Sequence, residues 1–201
     1  PAPRLECVLN LETGSLALEA AVKLVLARFH PHDGNATPPY AGRLPVILVL
    51  GDDDGGLGGN YHGTTVLTQV LRGLWPTLGP RLETAGVCRV RAVRPNRIDD
   101  LEAAFREEDV APRKVAAFCH ELVLMNYGAR VLTPEFVQRA YALCRDHDAV
   151  TIVDEIQSCA WYDGAFLFRH YGLAPDMVAL GKGFPGGEFP ASRLLFASRF
   201  D

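Results

Sequence analysis

Five short apolar runs limit what this chain can fold into. Val46–Leu50, Val87–Val93, Val115–Cys119, Ala149–Val153 and Met177–Leu180 have the length and residue types of buried strands. Helical patterns run over Leu16–Phe29, Thr65–Trp75, Ile98–Glu108, and from Thr133 to about Arg145. Strands that alternate with helices imply an α/β fold with a mainly parallel sheet and right-handed crossovers. Local detail agrees. Leu101, Ala104 and Phe105 share one face of their helix, Pro134 sits in a first turn, and Glu19 with Lys23 forms an i,i+4 pair on an otherwise apolar helix.

Several function classes are disfavoured by composition. The 201 residues suit one domain that buries on the order of 70% of its unfolded surface. The net charge of −4 and the scattered Lys and Arg residues argue against nucleic acid or an anionic membrane as partner. Five cysteines, Cys7, Cys88, Cys119, Cys144 and Cys159, form no CxxC pair and leave an odd one, so neither a disulfide framework nor a zinc site is expected, and a reducing cytoplasm is. No apolar run approaches the length of a membrane span, and the opening PAPRLECVLN has no signal-peptide pattern. The missing initiator Met and the end at Asp201, directly after a strand-like run, lead us to expect a piece of a longer polypeptide.

Chemistry gathers at the strand ends. The run Ala149–Val153 stops at Asp154, and Met177–Leu180 stops just before Lys182 in a Gly-rich turn. In an open α/β sheet such ends face the ligand crevice, so Asp154, Gln157 and Lys182 are expected together. An acid that can hold a positive ring nitrogen and a lysine that can form an imine are what pyridoxal phosphate chemistry requires. Each residue also has a plainer reading. Asp154 could cap the turn after its strand, and a lysine between two glycines is commonly a solvated turn. Thr13 or Ser15 could be a bare N-cap, although a helix start is also an anion site. The Tyr61-His62 pair could be packing. The run GDDDGGLGGN at Gly51–Asn60 lacks the ligand spacing of a calcium loop and the lysine of a phosphate loop, and reads as a mobile polar insertion.

Taken in order, Thr13-Gly14-Ser15, Tyr61-His62-Gly63, Glu121, VDEIQSCAW and APDMVALGKGFPGG resemble the signatures of class III (ω-type) aminotransferases. The resemblance spans nearly the whole chain. It implies the large domain of a fold type I pyridoxal-phosphate enzyme over residues 1–201, with a seven-stranded, mainly parallel sheet flanked by helices. It also implies a transaminase that works between an amine or amino acid and an oxo acid, as a homodimer. Aminomutases, racemases and a decarboxylase share the motifs, and a non-catalytic binding or oligomerisation module is the reading from another class.

Carried over residue by residue, Lys182 would hold the cofactor and Asp154 would pair with its ring nitrogen. Gln157 would bond its phenolic oxygen, and Ile156 and Tyr61 would cover its two faces. Thr13, Gly14 and Ser15 would bind the phosphate, His62 would support Asp154, and Glu121 would lie on the ring-hydroxyl side near the substrate. Leu16, Thr64, Leu122 and Pro185 depart from the family pattern. The family's substrate-carboxylate Arg, its partner-subunit Thr and its small C-terminal domain would lie beyond Asp201.

Overall fold

The computed structural model of the protein describes residues 4–31, 37–184, 188 and 191–201. The stretch Pro31–Pro45, with several prolines, Gly34 and Asn35, is expected from the sequence to be a loop; its residues 32–36, and Pro185 with the glycines that follow it, lie outside the described residues.

In chain order, strand β1 (Leu5–Leu11) leads into helix α1 (Gly14–Leu26), and strand β2 (Leu44–Leu50) is followed by the short helices α2 (Val66–Leu71) and α3 (Leu78–Thr84). Next come β3 (Arg89–Val93), α4 (Ile98–Glu108), β4 (Arg113–His120), the two-residue strands β5 (Val123–Leu124) and β6 (Arg130–Val131), and α5 (Pro134–Asp146). The chain closes with β7 (Val150–Asp154), α6 (Leu167–His170), β8 (Met177–Leu180) and β9 (Ser192–Ala197).

One seven-stranded sheet runs in the order β1-β9-β8-β7-β4-β2-β3. The pairs β3/β2, β2/β4, β4/β7 and β7/β8 are parallel, while β9 runs antiparallel to both β8 and β1. The mainly parallel sheet expected from the alternation is therefore present. After β3 the chain crosses back over β2 to β4, which creates a switch in strand order of the kind that opens a crevice at the strand carboxyl ends.

Alternation along each strand sends side chains to opposite faces. Ile47 and Val49 of β2 join Ala17, Leu18, Ala21 and Val22 of α1 on one face. Val46, Leu48 and Leu50 join Leu101 and Phe105 of α4 and Phe136 of α5 on the other. Both faces of the sheet are covered, so its strands read as continuous apolar runs rather than as alternating ones. At the end of the sheet away from the crevice, Asp148 gathers Arg28 at 2.5 Å, the Tyr40 hydroxyl and Arg199 at 3.2 Å, which ties α1 and the chain end to the start of β7.

Some expectations shift. The helix expected over Thr65–Trp75 ends at Leu71, because Gly73 adopts φ +74° and Leu74 N–H donates to Gln69 O at 3.1 Å, a glycine-terminated cap. α3 follows with Pro80 in its first turn, where a missing N–H costs nothing. Residues 51–60, expected as a polar insertion, form a hydrogen-bonded turn. Asp52 Oδ1 accepts from Asp54 and Gly56, and buried Asn60 donates to the carbonyls of Leu50, Leu57 and Leu71.

Candidate active site

Three adjacent strands end in ionisable chemistry at the crevice. β4 runs into Glu121, β7 ends on Asp154, and β8 runs through Gly181 to Lys182. With residues from α1 and the Tyr61 loop they line one cavity of about 360 Å³, within the range of small-molecule sites. All ten residues proposed from the sequence line it: Thr13, Gly14, Ser15, Tyr61, His62, Glu121, Asp154, Ile156, Gln157 and Lys182. Glu12 and Ala191 line it too. Neither carried a motif of its own, and their only signal is adjacency to Thr13 and to the β9 run.

Asp154 is buried and uses both oxygens. Oδ1 accepts the Ile156 N–H at 3.1 Å, which is the turn-capping role, and Oδ2 accepts from His62 Nδ1 at 2.8 Å. Burial alone would lower the His62 pKa. Cys119 and the bonded carboxylate of Asp154 reverse this and hold the imidazole well above its usual range. His62 Nε2 is buried with no partner among the described residues.

Glu121 is 4% exposed, and its Oε2 has no partner among the described residues. Burial pushes its carboxyl up to about 8 and the nearby Asp154 adds to this, while His62, Lys182 and a hydrogen bond with Gln157 pull the other way. Behind it, His120 bonds the Glu121 carbonyl through Nδ1 at 3.1 Å and meets the Tyr141 hydroxyl through Nε2 at 3.2 Å. Burial drives this imidazole down to about 4, so His120 is a neutral strut at neutral pH.

The chain has three lysines, Lys23, Lys114 and Lys182. Lys23 is exposed on α1 beside Glu19 at 3.4 Å, and Lys114 is buried against Asp109 at 3.0 Å. Only Lys182 lines the cavity. Its φ of +44° is a left-handed conformation uncommon outside glycine, and the Phe184 N–H closes the turn on Gly181 O at 3.0 Å. The turn is solvated, with Lys182 exposed, and it still faces the cavity.

At the start of α1, Thr13 is the N-cap, its hydroxyl accepting from Leu16 N–H at 3.3 Å. The N–H groups of Gly14 and Ser15 have no acceptor inside the helix, as the first residues of any helix do not. Ser15 Oγ accepts from Thr64 N–H at 3.0 Å and so ties the Tyr61-His62-Gly63 loop to α1. Gly63 has φ +122°, and a Cβ there would stand 2.4 Å from Ser15 Oγ, so only glycine fits. Ile156 is wedged between two glycines: a Cβ on Gly14 would come within 2.5 Å of its Cδ1, and one on Gly181 within 3.1 Å of its Cγ2. Tyr61 is half-buried, with the Arg72 guanidinium 5.1 Å from its ring centre. Glu155, which the sequence left without a role, is fully buried and accepts from Ser158 Oγ at 2.7 Å and Phe168 N–H at 2.6 Å, fixing the start of α6.

A doubly covered parallel sheet with a lysine and three carboxylates in one crevice defines an α/β protein built for ligand chemistry at its strand ends. The family follows from comparison. A sequence model described as "Aminotransferase class-III" matches residues 1–199, and the chain belongs to that family. It is 30% identical to an ornithine aminotransferase of Schizosaccharomyces pombe over 94% of this chain and 42% of that protein. Identity is 32% with a 5-aminovalerate aminotransferase of Pseudomonas putida, over 90% and 40%. Among solved structures, the ornithine aminotransferase of Toxoplasma gondii is 26% identical with a TM-score of 0.69, over 95% of this chain and 41% of that one. The chain thus spans less than half the length of these relatives.

Proposed function

We propose that this chain is the cofactor-binding large domain of a pyridoxal-phosphate-dependent transaminase, moving an amino group between an amine or amino acid and an oxo acid. The observation that carries the reading is that Lys182, alone among three lysines, lines the cavity, beside Glu121 and Asp154 at the ends of adjacent strands.

The residues present fit this cofactor. The free N–H groups opening α1 at Gly14 and Ser15 suit a phosphate. Tyr61 offers an aromatic wall and Ile156 an apolar one. Asp154 is a buried carboxylate suited to a protonated ring nitrogen, and Glu121 Oε2 is a buried oxygen without a partner among the described residues. Pyridoxal phosphate, when bound, supplies an aldehyde that captures amines and a ring that accepts electron density from a carbon losing its proton.

The chain's own residues would divide the remaining work. Lys182 would hold the cofactor through Nζ and, once free, accept and return a proton at that atom. His62 would keep Asp154 aimed through the 2.8 Å bond to Oδ2. Gln157 would donate to the cofactor's phenolic oxygen, and Glu121 would enter the site as a neutral carboxyl near pH 7.

The reading extends to a cytoplasmic homodimer. Its support is the odd count of five cysteines and the exposed Leu16 and Phe184, which follow cavity-lining residues closely in sequence. The test is amino transfer itself. The chain loaded with pyridoxal phosphate should lose its visible absorbance with ornithine or 5-aminovalerate, the donors named for the relatives above, and regain it with an oxo acid. A chain that takes up pyridoxal phosphate without any visible imine absorbance would refute the reading of it as the cofactor-binding domain.

A further inference from the structure

The backbone that presents Lys182 is held in an unusual way. Lys182 sits at φ +44°, which is disfavoured for a residue with a Cβ, so its surroundings must impose it. β8 ends at Leu180, and the carbonyls of Leu180 and Gly181 each receive a side-chain donor. The Ser192 hydroxyl, from β9, donates to Leu180 O. The Cys159 thiol, from the segment after β7, donates to Gly181 O at 3.1 Å. Both residues are buried, Ser192 fully and Cys159 at 5% exposure. The walls are close as well: a Cβ on Gly181 would stand 2.8 Å from Ser192 Oγ, and one on Gly183 would stand 3.4 Å from Cys159 O.

We propose that Ser192 and Cys159 are positioning residues for Lys182, fixing its amine over the cavity through the carbonyls of Leu180 and Gly181. Neither lines the cavity, so neither touches what binds there. Their action is on the turn alone. Losing a donor frees a carbonyl, lets the left-handed turn relax, and spreads Nζ over positions that miss its target. The inference rests on Lys182 being the cofactor-bearing lysine.

The experiment uses the full chain carrying Cys159→Ala, Cys159→Ser or Ser192→Ala, with pyridoxal phosphate as the probe. One readout needs no cofactor: amide hydrogen exchange at Phe184, whose N–H closes the turn on Gly181 O. The other two are the yield of borohydride-fixed mass adduct on Lys182 at sub-saturating cofactor and the pH midpoint of the visible absorbance. Cys159→Ala and Ser192→Ala should exchange about tenfold faster at Phe184, the weight of one modest hydrogen bond. Their adduct yield should fall about fivefold with a displaced pH midpoint. Cys159→Ser keeps a donor and should stay near the parent on all three. Parent-like exchange and yield in both alanine variants would overturn the proposal, as would Cys159→Ser behaving like Cys159→Ala. The alanine variants act at different carbonyls, so a folding failure of one leaves the other to decide. If the parent forms no adduct while exchange at Phe184 still responds, the transaminase reading falls and the positioning role stands.

Discussion

Replacing Glu121 by Gln should stabilise the protein, and the gain should grow with pH. Burial, with Asp154 adding, raises the folded carboxyl from an ordinary 4.5 to about 8. Below 4.5 both folded and unfolded chains carry the proton, so the charge costs nothing. As pH rises from 4.5 to 8, the unfolded chain ionises while the folded one resists, and folding loses stability throughout that window. Above 8 the loss is complete and constant. At about 1.4 kcal/mol per unit, a shift of this size corresponds to about 3–5 kcal/mol. Gln has the shape of a protonated Glu and keeps an amide for Gln157, but never ionises. For a chain of this length, 1 kcal/mol moves Tm by roughly 2–4 °C, so Glu121→Gln should melt on the order of 10 °C higher at pH 9 and only about 3–6 °C higher at pH 5.5, one unit above the unfolded value. The assay is thermal melting of both proteins from pH 5.5 to 9 without cofactor. A difference in Tm that is flat across this range would refute the reasoning.

Two further outcomes follow from the same geometry. Asp154→Asn should keep the lysine adduct but slow amino transfer by about one to two decades, since a buried charge-assisted bond worth roughly 1.5–3 kcal/mol is lost, which single-turnover absorbance would measure. Gly63→Ala should destabilise by about 2 kcal/mol or more, because φ of +122° and a Cβ 2.4 Å from Ser15 Oγ are both forbidden to it, and urea unfolding would read the loss.

Where the sequence was legible, local and global preferences agreed. α4 begins at Ile98 and ends at Glu108 as its periodicity implies, and β8 covers Met177–Leu180 as its apolar run implies. The strand ends were legible too, because β-branched runs stopped by Asp or Gly-Lys can be read without knowing the strand order. β1 was not. As an edge strand with Val8 and Leu9 exposed, it shows no clean alternation between Leu5 and Leu11. α3 was not read from the sequence: Gly79 and Pro80 lower its helix propensity, yet Pro80 falls in a first turn that tolerates it. The partners of the site were hidden for a different reason. The Cys159 bond to Gly181 and the Ser192 bond to Leu180 join positions set side by side only by the β7-β8-β9 pairing, and no local pattern encodes that. Glu155 stands in the same short motif as Asp154, but its duty to α6 appears only once Phe168 folds back over it.

The central claim is that Lys182 is the residue that carries the cofactor, and it can be tested directly. The chain is incubated with pyridoxal phosphate, reduced with borohydride, digested and mapped by mass, beside Lys182→Ala. The account predicts one adduct, on Lys182, absent from the variant, while Lys182→Ala still captures the cofactor non-covalently through the start of α1. An adduct on Lys23 or Lys114, or a borohydride-stable adduct that survives in Lys182→Ala, would contradict it.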